Sequence, residues 1–349
     1  MRAAMCQGNP GGAMSTPIAR FIVGTGRCGS TLLSRMLAEH PDVCSIFEFF
    51  TGLDWGRRFA EGPVAAADFT ELISRPQPVI DAVLRRGYSV EEVTYPFGVG
   101  RFARGDSMPW ILVSMLPRLA DDPDGLFEEV VSFAQRLPEQ PLRQHYRALF
   151  EWLAARGGRH HWIERSGSSV DYLASLYALF PEARVVHIHR DGREAALSMR
   201  EHHAYRVPIS LMYDAPVASG RRPSELGAID FTAPARPDDP ISQILASRPP
   251  VEAFGRYWSD QVIRGADALA HADPATLLEV RFEDVIVKPK DVMHAIAAFF
   301  GLEERVGWLA RSAGLVRGIP PPRFGQLTET ERTILDAATL PGMIRLGRA

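Results

Sequence analysis

Residues 24–31 read GTGRCGST, between the apolar run IARFIV and the helix-like run LLSRMLAEH. Gly24, Gly26 and Gly29 have the G-x-G-x-x-G spacing of a dinucleotide fingerprint. Gly24, Gly29, Ser30 and Thr31 give G-x-x-x-x-G-S-T, a Walker A loop with serine in the lysine position. A strand, a glycine-rich turn and a helix start together form an anion site, because backbone N–H groups point outward and the helix dipole favours negative charge. Arg27 adds a permanent cation, and Ser30 and Thr31 add hydroxyl donors. A plain strand-to-helix turn with a capping serine needs none of the three glycines or the arginine.

The loop alone leaves three ligands open. A dinucleotide needs an acidic residue roughly 20 positions on, and Glu48 stands near there, yet Arg27 within the turn is foreign to that role. A nucleoside-triphosphate kinase needs the loop lysine. The chain has only Lys288 and Lys290. No acidic metal ligand ends a hydrophobic strand, Asp191 being preceded by Arg190. The third ligand is a phosphosulfate. A second segment bears on the choice: in VVHIHRDGREAALSM (185–199), Arg190 leaves an apolar strand and Ser198 lies on the next helix. The two could grip one phosphate from two sides. Alternatively Arg190 pairs locally with Asp191 or Glu194.

These two segments resemble the sulfotransferases that use 3′-phosphoadenosine-5′-phosphosulfate (PAPS). Gly24 to Leu33 is similar to that family's G-x-x-[KR]-[SA]-G-[ST]-[ST]-x-L loop, in the arginine form of its bacterial and tyrosylprotein members. Residues 190–198 are similar to its R-D-P-R-[DE] element and following serine, with Gly192 in place of proline. HWIERSGS (161–168) resembles W-x-E-K-[ST]-P, with Arg165 for lysine and Gly167 for proline. LLEVRFEDVIVKP (277–289) resembles a scaffold element, so Glu283 and Asp284 are expected to be structural. The likeness spans about residues 18–50 and 160–302, and is weak over 51–155 and 203–250, where acceptor-binding elements vary.

The resemblance implies transfer of a sulfuryl group from PAPS to a hydroxyl acceptor by in-line displacement, with no metal required. The implied donor-binding residues are Gly26, Arg27, Cys28, Gly29, Ser30, Thr31, Leu32, Arg190 and Ser198. Arg317 and Arg323, in VRGIPPPRFG, are only loosely similar to a late R-K-G phosphate clamp. Charge grows on the leaving phosphate oxygen, so Arg27 is expected to act electrostatically, since a guanidinium gives up no proton near neutrality. Glu48, in SIFEFF, is the expected general base, placed as in carbohydrate- and tyrosine-sulfating members. A histidine is the other possible base. His187 and His189 share one side of a strand and are expected to pack in the core. The pairs His160–His161 and His202–His203 lack metal-site spacing. Cys28 is expected to be a small fitting residue, although a helix N-terminus can stabilise a thiolate there. A kinase or a nucleotide-binding protein without turnover is the alternative function.

Strands are expected at 19–23, 43–47, 160–164, 183–189 and 276–282. Helices are expected at 30–40, 68–74, 125–137, 141–156, 170–180, 193–203, 251–272, 291–300 and from about 328. Residues 206–250, rich in proline and charge, read as a long loop or lid. Alternation of strands and helices predicts an α/β fold: a P-loop-NTPase-like parallel sheet flanked by helices, with a largely helical variable insertion. Ligands in such sheets bind beyond the carboxyl ends of the strands, so 24–31, 48–50, 164–169 and 190–193 could share one rim. The chain has 349 residues, is 46% hydrophobic, and carries a formal net charge of −3. That composition gives one large domain over 15–349 after a disordered tail at 1–14, with Met14 a possible start. It has no basic field for nucleic acid. Cys6, Cys28 and Cys44 form no CxxC pair and suit a reducing cytoplasm. No apolar run is long enough to span a membrane. The expected partner is a small-molecule, sugar or lipid hydroxyl acceptor.

Overall fold

The computed structural model describes residues 18–348; the expected tail at 1–14, and Cys6, lie outside the described residues. Five runs form the strands of the central sheet: β1 (Arg20–Gly24), β2 (Val43–Phe47), β3 (His161–Arg165), β4 (Arg184–His189) and β5 (Leu277–Arg281). They make one parallel sheet in the order β2-β3-β1-β4-β5. The expected α/β architecture is therefore the observed one. Seven helices matter to the site: α1 (Ser30–Ala38), α2 (Leu142–Arg156), α3 (Gly192–Arg200), α4 (His203–Met212), α5 (Val251–His271), α6 (Pro289–Phe300) and α7 (Glu329–Arg345).

Side chains alternate along a strand, and both faces of the sheet are covered. Phe21 faces one way and meets Phe180, Trp162 and Phe50, with ring centroids 5.2, 5.8 and 6.3 Å away. The same core takes Tyr146 and Phe150 of α2 and the helices of the 51–155 segment. Ile22 faces the other way, among Ile163, Val186 and Ile188, under Leu33 and Met36 of α1 and Ile296 and Phe300 of α6. Helices α3, α5 and α7 form a third cluster around Trp258.

Two expectations are corrected. The helix expected over 193–203 is two helices, because α3 stops at Arg200 and α4 starts at His203. The loop expected over 206–250 begins inside α4 and contains a further helix, Pro240–Ala246. Pro208 lies within α4, where it removes one N–H bond without ending the helix. Arg206 supplies the compensation: its Nε and Nη2 donate to Arg200 O (3.2 and 3.0 Å) and its Nη1 to Leu245 O (2.7 Å). That buried guanidinium caps the end of α3 and holds α4 against the 240–246 helix.

The carboxyl rim of the sheet is conformationally unusual. The turns after β1, β2 and β3 each contain a non-glycine residue at positive φ: Arg27 (58°), Glu48 (54°) and Ser168 (54°). Such backbone costs on the order of 1–3 kcal/mol per residue and persists only where the surroundings hold it. Gly29 (φ 97°) is required on two counts, since a Cβ there would also overlap the ring of Phe282. Below the rim, Glu164 of β3 is fully buried and accepts a hydrogen bond from Ser166 Oγ, which in turn accepts the N–H of Phe50 (3.0 Å) and of Thr51 (3.3 Å). Burial pushes the Glu164 carboxyl up from 4.5 to about 8, Ser166 opposing and the Glu48 charge adding to the rise.

A folded-state value above the unfolded one means that the stabilisation is complete below pH 4.5 and is lost as the pH rises to 8. Glu164→Gln, which keeps the neutral shape, is expected to fold and to lose this dependence. Urea midpoints of the two proteins measured from pH 4.5 to 8 should diverge progressively, the wild type falling more; parallel profiles would mean that Glu164 is not held neutral.

Candidate active site

The rim turns surround a cavity of 340 Å³ lined by Arg27, Gly29–Leu32, Glu48, Arg165, Arg190, Ser198 and Arg317, among others. In the loop after β1 the first helical bond runs from Leu33 N–H to Gly29 O (3.2 Å). The N–H groups of Thr31 and Leu32 are thus first-turn donors of α1 without an intrahelical partner, while Ser30 N–H is engaged by the Cys28 sulfur. Arg190 leaves β4 with its guanidinium 4.7 Å over the Phe282 ring. Its nearest carboxylate, Glu194, is 3.9 Å away, and burial lowers its pKa. Asp191 instead caps α3, accepting Arg193 N–H (2.9 Å) and Glu194 N–H (3.3 Å). Glu283 accepts Asp191 N–H (3.2 Å) and pairs with Arg348 (2.8 Å).

Three residues expected at the site do not line the cavity. Gly26 donates its N–H to Gln261 (3.3 Å) and packs against Tyr205. The Cys28 thiol is buried in the core beneath α1, and burial raises its pKa. Arg323 lies behind Arg190, its N–H bonded to Glu194 (2.8 Å) and its guanidinium 4.0 Å from the same carboxylate. His187 and His189 are both buried, with rings stacked at 5.5 Å.

Arg27 reaches across the loop. Its Nε donates to Ser198 Oγ (3.2 Å), and its Nη1 lies 2.9 Å from Glu91 and 3.6 Å from Glu92. Burial disfavours its charge, but the two carboxylates more than restore it. Glu48 is buried and fully engaged: one oxygen pairs with Arg165 Nη1 and the other accepts Gly167 N–H (2.8 Å). The other Arg165 nitrogen, Nη2, donates to Thr31 Oγ1.

A second cavity, of 370 Å³, opens from the same wall. Glu48, Glu92, Gly167 and Tyr205 line both cavities. The second is otherwise mostly apolar, with Trp55, Ile80, Trp110, Tyr172 and Met212 in its lining. At the boundary His202 Nε2 pairs with Glu92 Oε2 at 3.0 Å, while its Nδ1 is buried without a hydrogen-bond partner. Burial works to raise the Glu92 carboxyl, but His202 and Arg27 outweigh it and hold it below the usual range. Ligand atoms of Glu91, Glu92 and His202 lie within 4.8 Å of one another, a spacing a metal would accept, but Arg27 already supplies a cation to both carboxylates. A third cavity, lined by Arg118, Arg156 and Arg159 at the β2 edge, shares only Arg35 and Leu315 with the first.

Glu91, Glu92, His202 and Tyr205 are absent from the sequence expectations for this site, and Arg165 figures there only as a motif residue. Their one sequence signal is weak: an acidic pair in an aperiodic stretch, and a histidine between two helices.

Residues 19–84 and 124–215 match the model of the sulfotransferase family, a match that contains the loop, Glu48, Arg165, Arg190 and Ser198 and leaves out Arg317 and Arg323. No curated protein sequence matches the chain significantly. Among solved structures, the sulfotransferase domain from the curacin biosynthetic pathway is similar over 96% of this chain and 99% of its own, at 13% identity and a TM-score of 0.50. A sulfotransferase from Mycobacterium avium aligns over 93% of this chain and 77% of its own, at 17% identity and a TM-score of 0.44. The first of these likenesses is one of fold. Over the segments that carry the site, this chain is thus similar to the sulfotransferase family, and it has the fold of a sulfotransferase domain.

Proposed function

We propose that the chain transfers a sulfuryl group from PAPS to a hydroxyl acceptor. The observation that supports this best is that Arg190 and Ser198 line the same cavity as Ser30, Thr31 and Leu32 of the first turn of α1. Two separated anion grips suit a ligand with phosphate groups at two positions, and Arg317 adds a further cation there. The donor set fits such a ligand in kind: guanidinium, hydroxyl and N–H donors, with Phe282 and Ile286 as apolar walls. Bound PAPS supplies a sulfuryl group joined to a phosphate leaving group.

The residues of the chain then do three things. The α1 N–H groups and Arg165 hold the charge that grows on the leaving oxygen. Arg27 does the same once phosphate replaces the exposed Glu91 carboxylate on its Nη1. A base at the wall between the cavities takes the acceptor's proton as the new O–S bond forms and the S–O bond to phosphate breaks. Glu48 is our first assignment for the base. One observation favours His202 instead: both Glu48 oxygens are already bonded, whereas one His202 ring nitrogen, Nδ1, has no partner, and Glu92 pairs with the other as an orienting carboxylate.

Calorimetric titration with adenosine 3′,5′-bisphosphate and with adenosine 5′-monophosphate tests the donor assignment. The wild type should prefer the bisphosphate by about 10- to 100-fold, the value of hydrogen bonds to a charged group, and Arg190→Ala should abolish the preference while keeping monophosphate binding. A preference unchanged in Arg190→Ala contradicts the assignment. For the chemistry, Arg27→Ala should lower kcat for transfer to a simple alkylphenol by about 10²–10³. Near-normal turnover would remove Arg27 from the mechanism. Glu48→Gln should lower kcat by roughly 10²–10⁴ with bisphosphate affinity intact. If His202→Gln shows that loss and Glu48→Gln does not, the base is His202.

A further inference from the structure

The apolar cavity contains one charge that the transfer chemistry does not use. Arg58 lines it and is only 3% exposed. Its guanidinium lies 4.2 Å over the Tyr172 ring and 4.5 Å over Trp55. Nη1 donates to Phe50 O (2.8 Å), while Nε is buried without a partner. Among the described residues, no carboxylate forms an ion pair with Arg58. Burial lowers its pKa, and the nearby acidic groups offset this only in part. A charge taken out of water costs several kcal/mol unless it is paired, and aromatic faces return about 2 kcal/mol of that. A buried cation with an unpartnered N–H and no ion pair, in the lining of a cavity beside the rim site, is a binding feature in need of an anion.

We propose that the acceptor is an apolar molecule carrying a carboxylate, which Arg58 holds, with the hydroxyl to be sulfated at the Glu48 end of the cavity. This rests on the sulfotransfer function proposed above and names its substrate class. A lone guanidinium neutralises a single negative charge, and its planar fork of N–H groups matches the two oxygens of a carboxylate. The opposite wall fixes the orientation. Glu48 and Glu92 stand at the boundary with the donor cavity and would repel an acid placed there, so the acidic end of the acceptor goes to Arg58 and the hydroxyl is left facing the donor. Trp55, Ile80, Trp110 and Met212 take the hydrocarbon between the two ends.

The test is calorimetric binding, without donor, of 8-hydroxyoctanoate, 10-hydroxydecanoate and 12-hydroxydodecanoate against the diols of equal length. In the wild type at least one acid should bind tenfold or more tighter than its diol. Arg58→Leu and Arg58→Gln should erase the difference, and their affinity for adenosine 3′,5′-bisphosphate reports that they are folded. Equal affinity for acid and diol at every length overturns the inference, whether or not either variant folds, as does an acid preference retained in the variants. Bisphosphate binding without an acid preference overturns the acceptor class alone. An acid preference without bisphosphate binding overturns the sulfotransfer function, and with it the naming of this ligand as an acceptor.

Discussion

Three strands end on one guanidinium. Arg165, the last residue of β3, is almost wholly buried and lies 4.1 Å over the Phe47 ring. It bonds Glu48 after β2 through one nitrogen and Thr31 after β1 through another. Its carbonyl accepts Glu48 N–H (2.7 Å). The order β2-β3-β1 leaves no other strand able to reach both neighbours. Removing this cation would leave Glu48 buried and uncompensated, a loss of about 3–5 kcal/mol for a broken buried pair. It would also free the left-handed turn at Glu48 and the first turn of α1 together.

The division of the site follows from that tie. With Glu48 fixed as a wall, arginines and helix N–H groups lie on one side and an aromatic cavity on the other. Arg27 completes the partition by reaching from the loop to Ser198 and to the 91–92 carboxylates. Charge is therefore sorted by position. The side of the α1 N–H groups has five arginines: Arg27, Arg35, Arg165, Arg190 and Arg317. The apolar side has Arg58 alone. A reacting group from each side could meet only where Glu48, Glu92, Gly167 and Tyr205 are shared.

Much of the rim cavity was legible in the sequence because its parts are contiguous. GTGRCGST and RDGREAALS each contain a strand end, a turn and a helix start, and short-range rules for anion sites apply to them directly. The five strands were legible for the same reason, since apolar runs bounded by turn residues require no long-range information. Cys28 marks the limit of such rules: the spacing puts it in the loop, but its thiol points into the core under α1. Most of α4 was read as loop because Pro208 interrupts it and a proline- and charge-rich stretch follows it, while the bonds of Arg206 that stabilise it come from the tertiary structure. Glu92, His202 and Arg58 were not legible at all. They come from segments that share no periodicity, and burial and proximity alone give them meaning.

The most direct test of the central claim, that the rim cavity is built for an adenosine carrying phosphate at both ends, is thermal unfolding with adenosine 3′,5′-bisphosphate, ATP with magnesium, and NADH in parallel. A ligand at 100 times its dissociation constant stabilises by about 2.7 kcal/mol, a readable shift. The bisphosphate alone is expected to raise the midpoint. A shift with only ATP or only NADH would contradict the claim and return GTGRCGST to the kinase or dinucleotide loops it partly matches.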